Sequence, residues 1–382
     1  MKNLIILFAA AAQLTLAAAQ EPRARDLGVP FSGAPGPLNA ITDVDGVAVG
    51  HETIIKDLRG GRAVRTGVTA ILPRGDKSLE GDVFAGFFAL NGNGEMTGTH
   101  WIEESGFLEG PVMITNTHSV GAVHEGVIKW RVEKAAADSS GYWWSLPVVA
   151  ETWDGDLNDI NGFHVKEKHV AAALDKAKAG PVAEGNVGGG TGMICHEFKC
   201  GIGTSSRKVD IRGGEYTVGV LVQANYGMRD PLRIAGVPVG QHLRNDRIFS
   251  EDDPTAAESG SIIIVIATDA PLLPQQLKRI AKRAALGLGR MGSYAGNGSG
   301  DIFIAFSTAE MDKGDGALWR LSRLDNGALD PLFLATANAT EEAVVNAMVA
   351  ARDMTGNEGH YAKAIDHEAL RAVLKQYGRL AE

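Results

Sequence analysis

The sequence predicts an α/β (α+β) fold in which large sheets are covered by helices, and three observations support this class. Continuous apolar runs rich in β-branched residues, such as residues 261–268, are typical of strands buried on both faces. Segments with an apolar stripe at helical spacing, such as residues 277–288, alternate with these runs. The 48 glycines are concentrated in turns before strands, which indicates many tight connections between elements.

The N-terminus predicts a secretory signal peptide over residues 1–19. Lys2 supplies a positive charge, residues 4–12 form a short apolar segment, and a run of alanines ends at Ala19 as a small-residue cleavage site. No later stretch reaches the roughly 18 uninterrupted apolar residues that a transmembrane helix requires. We therefore expect a soluble, exported protein, periplasmic or secreted, that begins near Gln20 and has no membrane partner.

Composition and charge disfavour several other classes. The net charge of −9 argues against nucleic acid as a partner, because a phosphate-binding surface requires clustered Lys and Arg. Cys195 and Cys200 are the only cysteines, and an oxidising compartment permits a disulfide between them. Together with His196 they could offer zinc ligands, but their spacing matches no familiar zinc pattern. We favour buried or disulfide-bonded cysteines, and we expect no metal and no cofactor.

Three β-type segments follow an irregular N-terminal arm. Residues 40–51 are typical of a strand pair that turns at Asp45, and residues 65–72 and 83–90 of two further strands. A Gly/Asn-rich loop comes next, at residues 91–98. Such a loop is usually a simple turn, but its backbone and amide donors could also reach a ligand.

Two buried strands are predicted at residues 111–115 and 147–152. The polar residues 116–119 predict the N-terminal cap of a helix that reaches towards Lys134. The second strand ends near Glu151, whose carboxylate is either presented to a site or simply solvated at a strand end. The residue pattern alone favours neither interpretation of Glu151.

The middle of the chain combines a helix, a glycine cluster and a strand. Residues 159–179 are predicted to be helical from their apolar stripe, and residues 216–225 to form a strand. The glycine cluster at residues 185–193 fits neither the dinucleotide-binding fingerprint nor the P-loop, which disfavours a nucleotide site. Residues 237–259 lack clear periodicity and are predicted to be a surface excursion.

Two helix caps are predicted in the C-terminal third. Asp269 follows the strand at residues 261–268 and can cap the next helix, with Pro271 in its first turn. Thr340 is a good N-cap for a second helix, because Glu342 then lies in the first turn, where the helix dipole favours a carboxylate.

The segment Gly-Asn-Gly-Ser-Gly-Asp at residues 296–301 runs directly into the β-type residues 302–308. Gly298 and Gly300 lack Cβ atoms, so the backbone at Ser299 can adopt strained or positive-φ geometry at little steric cost. Taken alone, such a segment is most often a glycine-rich turn before a buried strand. The alternative is catalytic, because a hydroxyl held at this position could attack the carbonyl group of Gly298.

The chemistry of that alternative is self-cleavage. An N-to-O acyl shift at Ser299, followed by hydrolysis, would leave this serine as a new N-terminus. Its free α-amine, with a pKa of about 7.7 to 8.0, could then act as the base for its own hydroxyl. The nucleophile elbow of α/β-hydrolases does not fit, because Ser299 precedes a strand and Asn297 occupies the position of the first glycine.

Short segments that support this hypothesis are distributed over nearly the whole mature chain. They are residues 41–44, 49–51, 90–92, 94–98, 115–117, 150–152, 190–193, 201–204, 224–227, 267–271, 297–301 and 339–343. Each segment is weak on its own, but their shared order makes the match specific. Through these segments and their order, the chain resembles the L-aminopeptidase/D-esterases and β-peptidyl aminopeptidases, a family of self-processing N-terminal-serine hydrolases.

The resemblance implies cleavage between Gly298 and Ser299, into a large chain of residues 20–298 and a small chain of residues 299–382 that form a single catalytic domain. It implies a four-layer αββα sandwich of the N-terminal-nucleophile hydrolase type, to which both fragments contribute. It also implies a homo-oligomer, typically a tetramer of processed protomers.

The resemblance also assigns roles to individual residues. Ser299 is implied as the nucleophile for both self-cleavage and substrate turnover. Thr340 and Glu342 fall on a Ser/Thr-x-Glu element near the family's nucleophile, although some members have serine at the first position. By motif position, Asn225 is the expected oxyanion donor, and Glu151 is the residue expected to hold the free ammonium group of the substrate.

We therefore expect an exported aminopeptidase that acts on amides, short peptides or esters with a free N-terminal amino group, through an acyl-enzyme on Ser299. One alternative is an acyltransferase of the ornithine acetyltransferase-like type, in which an amine accepts the acyl group. The signal peptide disfavours that cytosolic role. The other alternative is a non-enzymatic exported binding protein in which residues 296–301 form only a turn.

Overall fold

The computed structural model describes residues 22–75, 81–134, 144–248, 259–312 and 318–381. The predicted signal peptide lies outside these ranges, as do residues 249–258 of the predicted surface excursion. No helix within the described ranges is long and apolar enough to cross a membrane.

The strands largely coincide with the apolar, β-branched runs of the sequence. They are β1 Ala48–Asp57, β2 Ala63–Leu72, β3 Val83–Gly92, β4 Phe107–Leu108, β5 Val112–Asn116, β6 Val148–Thr152, β7 Ile194–Cys195, β8 Phe198–Lys199, β9 Ile202–Ile211, β10 Gly214–Asn225, β11 Ser259–Thr268, β12 Gly298–Ser307, β13 Met354–Thr355 and β14 Tyr361–Ala362. The helices are α1 Thr99–Ser105, α2 Val120–Glu133, α3 Glu167–Asp175, α4 Val239–His242, α5 Pro274–Arg290, α6 Asp330–Val349 and α7 His367–Gln376.

Two sheets form the centre of the protein. One has four strands in the order β1-β2-β5-β6, and the other has six in the order β4-β3-β12-β11-β10-β9. The pairs β5/β6 and β11/β12 are parallel, and the other neighbours in these sheets are antiparallel. Because β11 and β12 are parallel neighbours, the chain between them must cross back over the sheet, and α5 makes this connection.

The alternation of side chains along each strand separates three apolar layers. Between the sheets, Ile263 and Ile302 of the six-stranded sheet pack in one cluster with Ile71 and Ile114 of the four-stranded sheet. The other face of the six-stranded sheet, which includes Phe303, is covered by α5 and α6. Helices α2 and α3 cover the outer face of the four-stranded sheet. The result confirms the α/β (α+β) class and the four-layer αββα sandwich.

The chain after residue 298 is built into the centre of this fold. β12 lies between β3 and β11, both of which precede it in the sequence. α6 packs against α5 and over β9 and β10. A break between Gly298 and Ser299 would therefore leave the strand hydrogen bonds and the apolar contacts of both fragments in place.

The predicted boundaries of α3 and α5 are wrong. α5 begins at Pro274 and not after Asp269, because the Asp269 carboxylate instead accepts a hydrogen bond from the Thr217 N–H across the sheet, at 2.7 Å. The helix expected over residues 159–179 is limited to α3. The residues before it form a short 3-10 turn that ends at Phe163, whose φ of 50° lies in the left-handed region and is incompatible with a continuing helix.

Candidate active site

A pocket of about 550 Å³ opens between the two sheets, at the end where β10 stops and β12 begins. The register of the six-stranded sheet explains why distant residues meet there: Asn225 lies opposite Ser261, and Gly260 lies opposite Ser299. Asn225, Ser261 and Gly298 line the pocket on this sheet. The facing wall comes from the end of β6, including Glu151, and from the loops that follow β3 and β6.

Ser299 is the second residue of β12 and is fully buried. Its backbone N–H donates to the Gly296 carbonyl at 2.8 Å, and its hydroxyl donates to Oδ1 of Asp301 at 2.7 Å. Strand alternation places Ser299 on the face of Asp301 and Phe303, which the helices cover, so its side chain does not line the pocket. The freedom that the flanking glycines give Ser299 is not used, since this residue is extended; the left-handed residue of the turn is Ala295, with φ 52°.

The carbonyl of Gly298 is held by a side-chain donor. Nδ2 of Asn93 donates to this oxygen at 2.9 Å, and Asn91 donates to the carbonyl of Gly296. The end of β3 and the loop that follows it thus hold the turn before Ser299 in place. Gly300 makes this close approach possible, because a Cβ atom there would lie 2.4 Å from the Asn93 carbonyl oxygen.

Asn225 ends β10 and presents its amide to the pocket. Its Oδ1 accepts a hydrogen bond from the backbone N–H of Ile194 at 2.9 Å, which fixes the orientation of the amide because only the oxygen can accept. The two N–H bonds of Nδ2 are therefore directed away from Ile194. This arrangement suits an oxyanion donor, which must be held in place before charge develops on the substrate.

Glu151 lies in β6 with only 3% of its surface exposed. Oε1 accepts the backbone N–H of Glu95 at 3.0 Å, and Oε2 accepts the hydroxyl of Thr117. Burial raises the pKa of the Glu151 carboxyl, while these two hydrogen bonds act in the opposite direction. Glu151 is therefore a buried residue of the pocket lining and not a solvated strand end.

The described lining of the pocket is acidic. Glu95, Glu151, Asp156 and Glu197 contribute carboxyl groups, and none of the described lining residues is Lys, Arg or His. Glu197 is paired with Arg247 at 3.0 Å. Burial raises the pKa of Asp156 as well as that of Glu151. A cationic group that enters this pocket would stabilise the charged form of both carboxyls.

Thr340 does not start a helix and does not reach the pocket. It lies in the middle of α6, where its buried hydroxyl donates to the Thr336 carbonyl at 2.8 Å, so its prediction as an N-cap is wrong. The helix begins ten residues earlier, at Asp330. Pro331 in the first turn is compatible with that start, since its missing N–H has no partner there in any helix.

Glu342 forms a buried ion cluster at the edge of the six-stranded sheet. It accepts hydrogen bonds from Arg25 at 2.7 Å, Arg207 at 2.7 Å and Asn39 at 2.6 Å, and these partners hold the pKa of its carboxyl below the ordinary value despite burial. Arg207 belongs to the edge strand β9, three strands from β12, which is roughly 14 Å across the sheet. The hydrogen bonds of Thr340 and Glu342 thus join them to other residues than Ser299, and neither residue lines the pocket.

Cys195 and Cys200 form a disulfide, as one of the two favoured interpretations predicted. The bond closes the short β7–β8 hairpin, which carries Ile194 and Glu197 to the pocket wall. Across the described ranges, no group of three or more His, Cys, Asp and Glu side chains is arranged to hold a metal ion.

Two functional candidates were missed from the sequence. Asn93 lies in a loop for which amide donors were expected, but the pattern gives no means of choosing between Asn91 and Asn93. Asp301 could have been identified, because residues two apart in a strand share a face and Ser299 was expected to enter one. The sequence pattern instead assigns Asp301 to the turn.

The comparison with known proteins agrees with this geometry. Residues 39–362 match peptidase family S58. The beta-peptidyl aminopeptidase BapA of Sphingosinicella microcystinivorans is 53% identical over 380 residues, covering 96% of this chain and 95% of that protein. The solved L-aminopeptidase D-Ala-esterase/amidase of Ochrobactrum anthropi, a variant of the Ntn hydrolase fold, is 53% identical with a TM-score of 0.88 and covers 94% of this chain and 100% of that one.

A beta-aminopeptidase from Burkholderia sp. is also similar, at 47% identity and a TM-score of 0.85 over 94% of this chain and 99% of that one. These matches confirm the family resemblance that the ordered short segments indicate. They also exclude the alternative of a non-enzymatic binding protein. The chain belongs to peptidase family S58 and is an aminopeptidase.

Proposed function

We propose that the chain cleaves itself between Gly298 and Ser299 and that the freed Ser299 is the nucleophile of the aminopeptidase. The observation that carries this proposal is the Gly298 carbonyl, which lines the substrate pocket while Asn93 donates a hydrogen bond to its oxygen at 2.9 Å. The next residue is the serine whose hydroxyl would attack. Gly298 is exposed, so water can reach the ester that the attack would form.

Cleavage also gives Ser299 access to the substrate. In the uncleaved chain the serine lies within a strand and its hydroxyl is buried on the helix-covered face. After cleavage its nitrogen is a terminal amine that is no longer tethered to Gly298. Rotation about the bonds of this terminal residue can then bring the hydroxyl to the pocket, next to the amine that serves as its base.

Turnover would use the two walls of the pocket. Glu151 holds the ammonium group of the substrate, and its two hydrogen bonds fix the carboxylate for that contact. Ser299 attacks the scissile carbonyl while its own amine takes the proton. Asn225 stabilises the oxyanion, the amine product leaves, and water releases the acyl group. The acyltransferase alternative differs only in this last step, where an amine would replace water.

The substrates we propose are short peptides and amides, and esters as well, with a free N-terminal amino group. The acidic lining supports a cationic N-terminus, and the similar proteins are described as β-peptidyl aminopeptidases and as an L-aminopeptidase D-Ala-esterase/amidase. We further propose export with removal of residues 1–19, which the N-terminal sequence supports. A homo-oligomer of processed protomers remains an expectation from the family resemblance.

Intact mass spectrometry with N-terminal sequencing, under denaturing conditions, tests self-cleavage directly. We expect two fragments, the smaller beginning at Ser299 and the larger near Gln20. A single chain with full aminopeptidase activity would contradict the proposal. Adding a free amine to the assay distinguishes the two acyl acceptors, because only transfer yields a product whose mass includes that amine.

Glu151→Gln should raise KM by about 10- to 100-fold for substrates with a free amine, with a smaller effect on kcat. The reason is that a charge-assisted hydrogen bond contributes about 1.5 to 3 kcal/mol, and each 1.4 kcal/mol is a factor of ten. Glu95→Gln is the matched control, since it removes a more exposed carboxylate from the same pocket. An effect confined to kcat, or equal changes in both variants, would contradict the ammonium contact.

A further inference from the structure

The pocket lining carries more negative charge than the proposed reaction uses. Glu151 is assigned to the ammonium group of the substrate, and Glu197 is already paired with Arg247 at 3.0 Å. Glu95 is exposed, so water solvates its carboxylate. Asp156 differs from all of these, because no described residue donates a hydrogen bond to its carboxylate or forms an ion pair with it. The charge of Asp156 thus has no assigned role.

The Asp156 carboxylate is partly withdrawn from water. The residue is half-buried, and burial raises the pKa of its carboxyl, while attraction to the exposed His360 acts in the opposite direction. Nδ1 of His360 contacts the backbone carbonyl of Asp156, at 2.9 Å, and not its carboxylate. A carboxylate that has lost part of its hydration without gaining a partner is stabilised by a cation that binds next to it.

The loop that carries Asp156 is held in place on both sides of this residue. The carbonyl of the buried Asp154 accepts the N–H of Leu157 at 3.1 Å and that of Asn158 at 2.9 Å. Oδ1 of Asp154 also accepts Nδ2 of Asn158 at 3.0 Å. The Leu157 carbonyl in turn accepts the N–H of Asn357 at 2.8 Å. Binding at Asp156 therefore requires little further ordering of the loop, which favours affinity.

The same loop presents an indole ring to the pocket. Trp153 lines the pocket, and 43% of its surface is exposed. Gly155 allows the ring to pack against the loop backbone, because a Cβ atom at that position would lie 2.3 Å from Cζ2 of Trp153. The indole is thus supported on one side and accessible on the rest of its surface. Aromatic rings attract cations, and the planar guanidinium group of arginine also stacks on them.

The position of these side chains indicates which part of the substrate they contact. Glu151, Trp153 and Asp156 belong to the end of β6 and the loop that follows it. This wall faces the sheet that carries Asn225 and Gly298. Because Glu151 holds the ammonium group in the proposed function, the first residue of the substrate lies against the β6 wall. The side chain of that residue is then the group that meets the loop.

We propose that Trp153 and Asp156 form a specificity subsite for a basic side chain, above all that of arginine, on the N-terminal residue of the substrate. This inference rests on the proposed function, because it takes Glu151 as the partner of the ammonium group. A substrate with a basic first residue has two positive charges, of which one meets Glu151 and the other meets Asp156. Arginine is favoured over lysine, since a guanidinium group donates two hydrogen bonds to one carboxylate and stacks on an indole.

The test compares two substrates that differ in charge and hardly in shape. Arginine and citrulline have side chains of the same length, but the ureido group of citrulline is neutral. Their p-nitroanilides are assayed with the processed enzyme, in whichever series, α- or β-amino acid, the parent hydrolyses faster. We expect kcat/KM for arginine to exceed that for citrulline by at least about tenfold, the size of one charge-assisted hydrogen bond. Asp156→Asn should reduce this ratio to about threefold or less, with citrulline hydrolysis within about twofold of the parent.

Three further variants separate a direct contact from a general effect of charge. Asp159→Asn is the matched control, since it removes a carboxylate that does not line the pocket and should leave the ratio unchanged. Asp156→Lys reverses the charge and should make citrulline the better substrate. Trp153→Leu keeps an apolar side chain without the aromatic ring and should lower the ratio about two- to fivefold. Equal kcat/KM for arginine and citrulline in the parent would overturn the proposal. A ratio that Asp156→Asn leaves unchanged, or that Asp159→Asn lowers equally, would overturn it too.

Failure of this inference is distinguishable from failure of the proposed function. The amide of alanine tests the ammonium contact alone, because its side chain is too short to reach a separate subsite. If Glu151→Gln raises KM for this amide while the parent does not prefer arginine to citrulline, only the basic subsite is refuted. If Glu151→Gln leaves KM for the alanine amide unchanged, the proposed role of Glu151 fails, and this inference fails with it.

Discussion

Ser299→Ala is expected to give one uncleaved chain without measurable aminopeptidase activity. The substitution removes the hydroxyl that attacks the Gly298 carbonyl, so the terminal amine is never formed and neither nucleophile nor base is available. Loss of a catalytic nucleophile lowers kcat by on the order of 10⁶-fold in serine proteases. Intact mass and a fluorogenic amide assay on the same preparation measure both effects.

The matched control is Ser307→Ala on the same strand. Ser307 is also buried in β12, but its hydroxyl donates to the Ala270 carbonyl at 2.7 Å, at the other end from the pocket. We expect this variant to be cleaved and active. The thermal midpoint of Ser299→Ala should stay close to that of the parent, because the strand and core do not depend on the break. Cleavage between residues 298 and 299 in Ser299→Ala would refute the assignment of the nucleophile.

Asn225→Ala is expected to be cleaved normally but to turn over substrate about 10²- to 10³-fold more slowly. This decrease in kcat is the usual effect of removing one preorganised oxyanion donor. Self-cleavage is spared because Asn93, and not Asn225, donates to the Gly298 carbonyl. Mass spectrometry of the fragments and steady-state kinetics of the same sample separate the two steps.

Asn225→Asp distinguishes a lost donor from a disturbed strand end. Aspartate keeps the oxygen that accepts the Ile194 N–H, but it replaces the donating amide with a second oxygen. We expect its kcat to fall at least as far as that of Asn225→Ala, with the pocket wall intact. Turnover close to the parent in Asn225→Asp would exclude the oxyanion role. An equal loss of self-cleavage and turnover in both variants would point to misfolding of the site.

The main features of the fold were predictable because they depend on local pattern. The run at residues 261–268 is buried on both faces, and it became a strand in the middle of the six-stranded sheet. The helix boundaries were less predictable. Asp269 is chemically suited to cap a helix, but its carboxylate instead accepts a hydrogen bond from a backbone N–H of the adjacent strand. A capping preference of about 1 kcal/mol is small enough for such a tertiary contact to override it.

The residues of the candidate site were likewise predictable only in part. The glycine-flanked serine, Asn225 and Glu151 were identified from the order of short segments, and the structure brings Asn225, Glu151 and the Gly298 carbonyl to one pocket. The same reasoning expected Thr340 and Glu342 near the serine. Their contacts instead lie within α6 and in an arginine cluster at a sheet edge. Neighbours in sequence do not determine which partners a buried carboxylate meets, because those partners come from distant segments.

By itself the sequence determined the fold class, the family and the bond proposed for self-cleavage, since these depend on periodicity and on the identity of residues in a short motif. Only the tertiary structure decided the contacts around that bond. The shift in pairing between β12 and β3 delivers Asn93 to the Gly298 carbonyl, and strand alternation turns Ser299 towards Asp301 and away from the pocket. Register and side-chain direction are properties of paired strands, which are distant from one another in the chain.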